Sequence, residues 1–176
     1  MKQILFLIIL LLPCLSPGQT TDDVWKPFRA FIGNWKGDSE GQPGKGTYDR
    51  TYKFIFDDKF IEVRNTSTYP KQEKNPKGEI HEDIGYLSYD KARKTFVLRQ
   101  FHKEGFVIQY KLASVSADGK TIVFDSESIE NVPAGWRARE TLNVKDDGEW
   151  TETFELAAQN AEYKLYSKAT LKRVKK

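Results

Sequence analysis

Cysteine is almost absent from this chain of 176 residues: the one copy, Cys14, lies in an N-terminal segment that we expect to be cleaved off. A mature chain without cysteine has no disulfide bond and no thiol nucleophile. The sequence also lacks a nucleophile elbow, a phosphate-binding loop and a dinucleotide fingerprint, because the glycines at positions 37, 41, 44 and 46 precede a predicted strand rather than a helix. These absences exclude several common enzyme classes.

A large excess of one charge is also missing. Lysine and arginine total 28 and aspartate and glutamate total 25, which gives a formal charge of +3 at pH 7. This small surplus is spread along the chain, so we expect no nucleic-acid partner. The mean hydropathy of -0.62 excludes a polytopic membrane protein.

What the chain does contain is aromatic mass. Aromatic residues make up 13% of the sequence and hydrophobic residues make up 39%. This composition is sufficient for a packed core and excludes a globally disordered chain. The length is typical of one domain.

Residues 1–18 are typical of a secretory signal peptide. Lys2 gives a positively charged start, Ile4 to Leu12 form an unbroken apolar run, and small residues precede Gln19. The run is too short to span a bilayer as a helix, which needs about 20 residues. We therefore expect residues 19–176 to form one domain without a transmembrane segment, secreted or periplasmic.

A lipoprotein anchored at Cys14 is the less favoured alternative. Lipoprotein processing requires a small residue directly before the acylated cysteine, and Pro13 is a poor match to it. We therefore expect simple cleavage.

One short helix is predicted at the start of the domain, from Asp22 to Phe31. Trp25, Phe28 and Phe31 are spaced three apart and share a face, and Gly33 ends the segment. Acidic residues at its start suit the positive end of the helix dipole.

Beyond Gly33 the apolar pattern has a period of two, which indicates strands. The connectors are short and polar, and such loops join antiparallel neighbours. Closing a long meander into a barrel removes its edges. The sequence thus predicts an all-β, ten-stranded, antiparallel, up-and-down, calycin-like barrel. Its strands are predicted at residues 33–39, 45–56, 59–68, 80–89, 94–103, 106–115, 120–130, 136–145, 149–157 and 161–174.

The inward faces of these strands carry occasional charges. Arg50, Glu140 and Glu152 share the phase of apolar neighbours on their strands. A solid core rarely tolerates three such charges, whereas a barrel with a small wet cavity does. They are explained by a buried ion pair, by an anchor for a ligand carboxylate, or by an acid–base pair.

The first strand opens with a recognisable motif. The run from Gly33 to Gly41 resembles the G-x-W-x-G-x-G-x-G start of the nitrobindin-like (THAP-type), haem-binding β-barrels, with Ser39 in place of one glycine. That family lies in the calycin superfamily of lipocalins and fatty-acid-binding proteins. Trp35 is expected to plug one barrel end, with the Arg173 guanidinium across its ring.

The resemblance implies haem and the peroxynitrite isomerisation associated with such haem proteins. In the family one histidine near the C-terminus holds the iron, ahead of a segment that ends in Leu-x-Arg. The matching end here is Leu171-Lys172-Arg173, and Tyr166 stands where the histidine is expected. Tyrosinate also ligates ferric haem. Haem is therefore the alternative cofactor, with Tyr166 or His102 as axial ligand, and no cofactor is the main expectation.

The two histidines, His81 and His102, allow a metal hypothesis that includes Asp83. Adjacent strand residues point to opposite faces, so His81 and Asp83 share one side. Two histidines without a tight ligand spacing favour a solvated strand end, and we expect no metal. His102 either caps a turn at the rim or joins Gln100 in a hydrogen-bonding wall.

The favoured function is non-enzymatic binding of a small, largely apolar ligand with a polar or acidic head. The alternatives are a nitrobindin-like haem enzyme and a structural barrel whose interior is filled. The sequence does not specify an oligomeric state. The residues expected to contact the head of the ligand are Arg50, Tyr52, Gln100, His102, Tyr110 and Glu140.

The mature protein is expected to begin at Gln19, because the small residues that signal peptidase requires end at Gly18. N-terminal sequencing or intact mass of protein exported by its own signal checks this. Recovery of an acylated Cys14 would contradict it.

Overall fold

Ten antiparallel strands close into a barrel in the part of the chain that the structure describes, residues 23–146 and 148–175 of a computed structural model. The fold class predicted from the sequence is confirmed. The predicted signal peptide and Cys14 lie outside the described residues. The strands are β1 (Gly33–Gly41), β2 (Gly44–Ile55), β3 (Phe60–Tyr69), β4 (Glu79–Asp90), β5 (Thr95–His102), β6 (Val107–Val115), β7 (Thr121–Glu130), β8 (Arg137–Asp146), β9 (Glu149–Ala157) and β10 (Lys164–Arg173).

Each strand pairs with its neighbours in sequence, and β1 pairs with β10 to close the barrel. Strand β1 contains glycine at the positions where its backbone approaches β10 closely. A Cβ on Gly37 would overlap the Thr170 carbonyl oxygen, and one on Gly41 would overlap the Tyr166 carbonyl oxygen. The glycines of the opening motif therefore serve barrel closure.

Most predicted strand boundaries lie within two residues of the observed ones, and two of the differences lie at the end of β2 and the start of β10. β2 ends at Ile55 because Phe56, Asp57 and Asp58 all have positive φ angles near 50–60° and form the turn. Phe56, which the predicted strand 45–56 included, is consequently exposed. β10 begins at Lys164 rather than at residue 161.

The predicted helix is a 3₁₀ helix, Lys26–Phe31, shorter than the segment expected from the sequence. Its first predicted residue, Asp22, lies outside the described residues. A 3₁₀ helix has three residues per turn, so positions three apart lie directly above one another. Trp25, at the N-cap, and Phe28 and Phe31 are consequently buried on one face.

This helix closes one end of the barrel with aromatic rings, called here the closed end: Trp25, Phe28, Phe31, Trp35 and Trp150. Phe31 packs edge-on to Trp150 at 5.1 Å between ring centroids, and Trp35 packs edge-on to Trp150 at 5.9 Å. The Trp35 indole N–H donates to the Phe31 carbonyl oxygen at 2.6 Å. The closed end thus ties the helix to β1 and β9.

Arg173 fastens the outside of the closed end. Its guanidinium lies over the Trp35 ring at 4.2 Å from the centroid. It also donates to the carbonyl oxygens of Ile32 and Ala30, each at 2.7 Å. Within residues 23–146 and 148–175, no helix has the length and hydrophobicity needed to cross a bilayer.

Replacing Trp35 with alanine is expected to lower the free energy of unfolding by roughly 3–5 kcal/mol, as for other buried aromatic residues. The ring is 1% exposed, and its loss also leaves the Phe31 carbonyl without its donor. Chemical denaturation measures the change. Trp136→Ala is the control, because Trp136 is 39% exposed, and it should cost far less. Equal losses in the two variants would contradict a structural role for Trp35.

Candidate functional site

The barrel is hollow at the end opposite the helix. The cavity has a volume of about 370 Å³, within the range of roughly 300–1,000 Å³ that small-molecule sites occupy. Its mouth is bordered by the β1–β2, β3–β4, β5–β6 and β7–β8 connections, through Pro43, Glu79, Glu104 and Pro133. Aromatic side chains thus fill the closed end of the barrel, and the open end contains the candidate site.

One side of the cavity is polar. Strands β3, β4 and β5 turn amides, hydroxyls, imidazoles and a carboxylate towards the interior, and this side is called the polar wall. Its residues are Asn65, Ser67, His81, Asp83, Gln100 and His102.

The facing side is apolar. Strands β6, β7 and β9, with the turn before β6, contribute aliphatic and aromatic side chains, and this side is called the apolar wall. Its residues are Phe106, Ile108, Ile129, Phe154 and Leu156. A ligand in the cavity would therefore contact two chemically different surfaces.

The predicted head-group residues do not all reach this cavity. Arg50, Gln100, His102, Tyr110 and Glu140 line it. Tyr52 does not: its ring packs at 5.7 Å from Phe31 and 5.9 Å from Trp150 in the closed end. β2 runs from the mouth to the closed end, so Tyr52 lies one inward position deeper than Arg50. The structure does not support Tyr52 as a ligand contact.

A buried ion pair forms the floor of the cavity. Both terminal nitrogens of Arg50 donate to the Glu152 carboxylate, one of them at 3.3 Å to Oε1. Arg50 Nε donates to Asn65 Oδ1 at 3.2 Å, and Glu140 Oε1 lies 4.0 Å from Nη1. Arg50 is 3% exposed. Of the explanations that the sequence left open, this geometry favours the ion pair.

Glu140 lies beside the ion pair and is buried with it. Burial and the negative charge of Glu152 raise the pKa of Glu140 to about 8. Burial also raises the pKa of the Tyr110 phenol well above its ordinary value. Near neutral pH the floor therefore holds a charged Arg50–Glu152 pair and two neutral hydrogen-bonding groups.

The two histidines meet at the polar wall. His102 Nδ1 lies 3.3 Å from His81 Nε2, and His81 Nδ1 lies 3.0 Å from Glu104 Oε1. The Asp83 carboxylate lies 3.5 Å from His81 Nε2 and accepts a hydrogen bond from Asn65 at 2.9 Å. The solvated strand end expected from the sequence is thus replaced by a mostly buried cluster.

Burial and contacts separate the pKa values of this cluster. Burial lowers the pKa of His102 to about 4, so its imidazole is neutral near pH 7. Burial would also lower the pKa of His81, but its hydrogen bonds with Asp83 and Glu104 outweigh burial and raise it. Burial opposes the charge of Asp83, yet the hydrogen bond with His81 and the positive charge of Arg50 hold its pKa below the ordinary value.

The side chain of His102 is fixed within the wall rather than placed in a turn. Its ring stacks on Phe106 at 4.1 Å between centroids. Its backbone N–H donates to the Phe106 carbonyl oxygen at 3.1 Å. The buried Nε2 atom has no hydrogen-bond partner among the described residues.

Tyr166, the other residue considered as an axial ligand, lies near the mouth. It occupies the irregularity of β10 between Leu165 and Ser167, where the pairing with β9 shifts. Its ring meets Phe154 edge-on at 5.7 Å. Burial raises the pKa of its phenol, which is therefore protonated at neutral pH.

Asn65 and Ser67 line the cavity but are not among the site residues predicted from the sequence. Both alternate in phase with Ile61, Val63 and Tyr69 on β3, and all five side chains are buried on the inward face. This phase along the strand is the sequence signal that identifies both residues as inward-facing. It marked two polar residues on an inward face, as it did for Arg50.

Comparisons with known proteins give two findings. A family model described as "THAP4-like, heme-binding beta-barrel domain" matches residues 24–173. The crystal structure of Rv2717c from M. tuberculosis is similar with a TM-score of 0.61 and 14% sequence identity, over 86% of this chain and 98% of that one. At this identity the structural likeness supports the fold alone. No curated protein matches the chain significantly.

Replacing Glu140 with glutamine is expected to change the pH dependence of stability. The pKa of Glu140 is about 8 in the folded chain against an ordinary 4.5, so between these values the folded chain keeps a proton that the unfolded chain has lost. The free energy of unfolding therefore falls as pH rises through this window. Glutamine removes this loss, and the variant should gain on the wild type by up to about 1 kcal/mol per pH unit.

Denaturation at several pH values between about 5 and 8 measures this difference, across the window that a raised carboxyl pKa defines. Glu40→Gln is the control, because Glu40 is exposed on β1, and it should keep the wild-type pH profile. A Glu140→Gln profile parallel to that of the wild type would mean that Glu140 is ionised in the folded barrel.

Proposed function

Since this chain belongs to the family of THAP4-like, heme-binding beta-barrel domains, we propose that its barrel binds a small, largely apolar molecule with a polar head. The observation that carries this proposal is the cavity with a polar wall on one side and an apolar wall on the other. Sites of this kind use apolar surface for affinity and a few polar groups for orientation.

The walls suggest how such a ligand lies. Its apolar part would pack on the apolar wall, for example against Ile108, Phe154 and Leu156. Its head would face Gln100 and His102 on the polar wall. Arg50 already holds the Glu152 carboxylate, so an acidic head would have to share or displace that partner, whereas a neutral polar head would not.

Haem is the group that the family implies, and the donors in this cavity do not fit it. Tyr166 stands where the resemblance implies histidine, and its raised phenol pKa opposes the tyrosinate that iron would need. His102 directs Nδ1 towards His81, and its Nε2 is buried behind the stacked Phe106 ring. The Nε2 atom of His102 is unpartnered but buried, and the Tyr166 phenol is protonated, so neither side chain offers iron a ready donor.

The proposed activity is binding, without a chemical step on the ligand. We further propose that the mature chain works outside the cytoplasm, as a secreted or periplasmic protein. The support for this is the apolar run from Ile4 to Leu12 and the small residues before Gln19.

A bulkier side chain on the apolar wall is expected to weaken ligand binding. Leu156→Trp puts extra volume into the cavity and should weaken the binding of a dansyl-labelled fatty acid by about tenfold or more. Leu165→Trp is the matched control, because Leu165 is 50% exposed on the adjacent strand, and it should bind like the wild type. Fluorescence titration measures the affinities, and circular dichroism verifies the fold.

Two other experimental results would contradict this binding proposal. If the wild type binds no probe, and native mass spectrometry of freshly purified protein shows no retained molecule, the binding proposal is wrong. A saturable Soret shift with added hemin that disappears in Tyr166→Phe or in His102→Ala would establish the haem alternative instead. We expect no such shift in the wild type.

A further inference from the structure

The polar wall brings three metal-binding atoms together. His81 and Asp83 are two residues apart on β4, so both turn inward, and Asp83 lies directly opposite His102 on β5. Strand pairing therefore places two imidazoles and one carboxylate on a single patch of the barrel interior. The ligand atoms that they offer all lie within 4.8 Å of one another.

The spacing of these atoms suits one ion. His81 Nε2 lies 3.3 Å from His102 Nδ1 and 3.5 Å from Asp83 Oδ2. Nitrogen and oxygen ligands lie about 2.0–2.2 Å from zinc, and ligands at these distances in a tetrahedron are about 3.3–3.6 Å apart. Both distances match the edges of such a tetrahedron before any side chain moves.

A supporting set of contacts orients the donors. His81 Nδ1 contacts the Glu104 carboxylate at 2.9–3.0 Å, which directs Nε2 towards the other two donors. Metal-bound histidines usually make this contact to a carboxylate through their second nitrogen. Asn65 donates to Asp83 Oδ2 at 2.9 Å. Phe106 stacks on the His102 ring and holds its plane.

A separate observation also points to a missing ligand. The Asp83 side chain is 5% exposed, and its Oδ1 atom has no hydrogen-bond partner among the described residues. Burying a carboxylate oxygen without a partner is costly. Asp83 lines the cavity, so a cation bound by this carboxylate would compensate the buried charge that its Oδ1 atom leaves without a partner.

We propose that His81, Asp83 and His102 bind one divalent first-row transition-metal ion on the polar wall. Two imidazoles and one carboxylate form a donor set that suits zinc or ferrous iron and leaves at least one coordination position open. All three residues line the cavity, so water or a donor atom of a bound molecule could take that position. Glu104 acts as a positioning residue through His81.

This site differs from a haem site, because the protein supplies all three ligands. It also does not depend on the proposed ligand, since metal binding is measured without any organic molecule. A barrel that binds metal but no fatty-acid probe, or the reverse, would separate the two proposals.

The test uses tag-free mature protein, purified in the presence of a chelator that is then removed. Titration with cobalt(II) should give visible absorption bands that saturate at one equivalent, and zinc should displace them. Calorimetry with zinc gives the affinity. His81→Gln and Asp83→Asn should each abolish the bands or weaken zinc binding at least about a hundredfold, and Glu104→Gln should weaken it about tenfold to a hundredfold.

Glu82→Gln is the matched control. Glu82 lies between the two β4 ligands but points outward, where it pairs with Lys103 at 3.0 Å, and its substitution should leave the metal affinity unchanged. Circular dichroism verifies that each variant is folded, and the near-isosteric Asp83→Asn keeps the test valid if His81→Gln does not fold. Absence of saturable binding in the wild type, or equal affinity in the wild type and Asp83→Asn, would overturn the proposal.

Discussion

The contact between the Arg50 guanidinium and the Glu152 carboxylate is the constraint around which the barrel interior is organised. It joins β2 to β9 across the inside of the barrel, and both side chains are about 5% exposed or less. Either charge left alone at this depth would cost several kcal/mol. The pair lies between the aromatic closed end and the cavity, with Trp150 on one side and Tyr48 on the other. The aromatic cluster of the closed end lies on one side of this level, and the cavity lies on the other.

The state of the neighbouring groups follows from the same pair. Burial and the neighbouring Glu152 carboxylate raise the pKa of Glu140 more than Arg50 lowers it, so Glu140 keeps its proton near neutral pH. Asp83 stays ionised because the hydrogen bond with His81 and the charge of Arg50 outweigh the effect of burial. The floor of the cavity therefore has little net charge. The side chains available for hydrogen bonds lie on the polar wall. A molecule in the cavity would meet fixed hydrogen-bonding groups on that wall, where neighbouring groups compensate the charge of Asp83.

Family membership accounts for the fold of this chain, whereas the donor atoms in the cavity determine the chemistry of the site. The matched family and the structural likeness to Rv2717c account for the ten-stranded barrel. A shared fold does not fix the chemistry of a site, which depends on particular side chains. In this chain Tyr166 occupies the position where the resemblance implies histidine, and both histidines of the sequence lie on β4 and β5 instead. The imidazoles of this chain therefore lie on the polar wall.

The alternation of apolar and polar residues determined the ten strands and the inward phase of Arg50, Glu140 and Glu152, and the short polar connectors determined the antiparallel order. Period two defines the face of a strand but not the height of a residue in the barrel. That height depends on the register and tilt of all ten strands. Only the tertiary structure therefore decided that Tyr52 packs in the closed end while Arg50, two residues earlier, lines the cavity. It also decided that Asp83 lies opposite His102, because pairing across separate strands brings together residues that no local pattern connects.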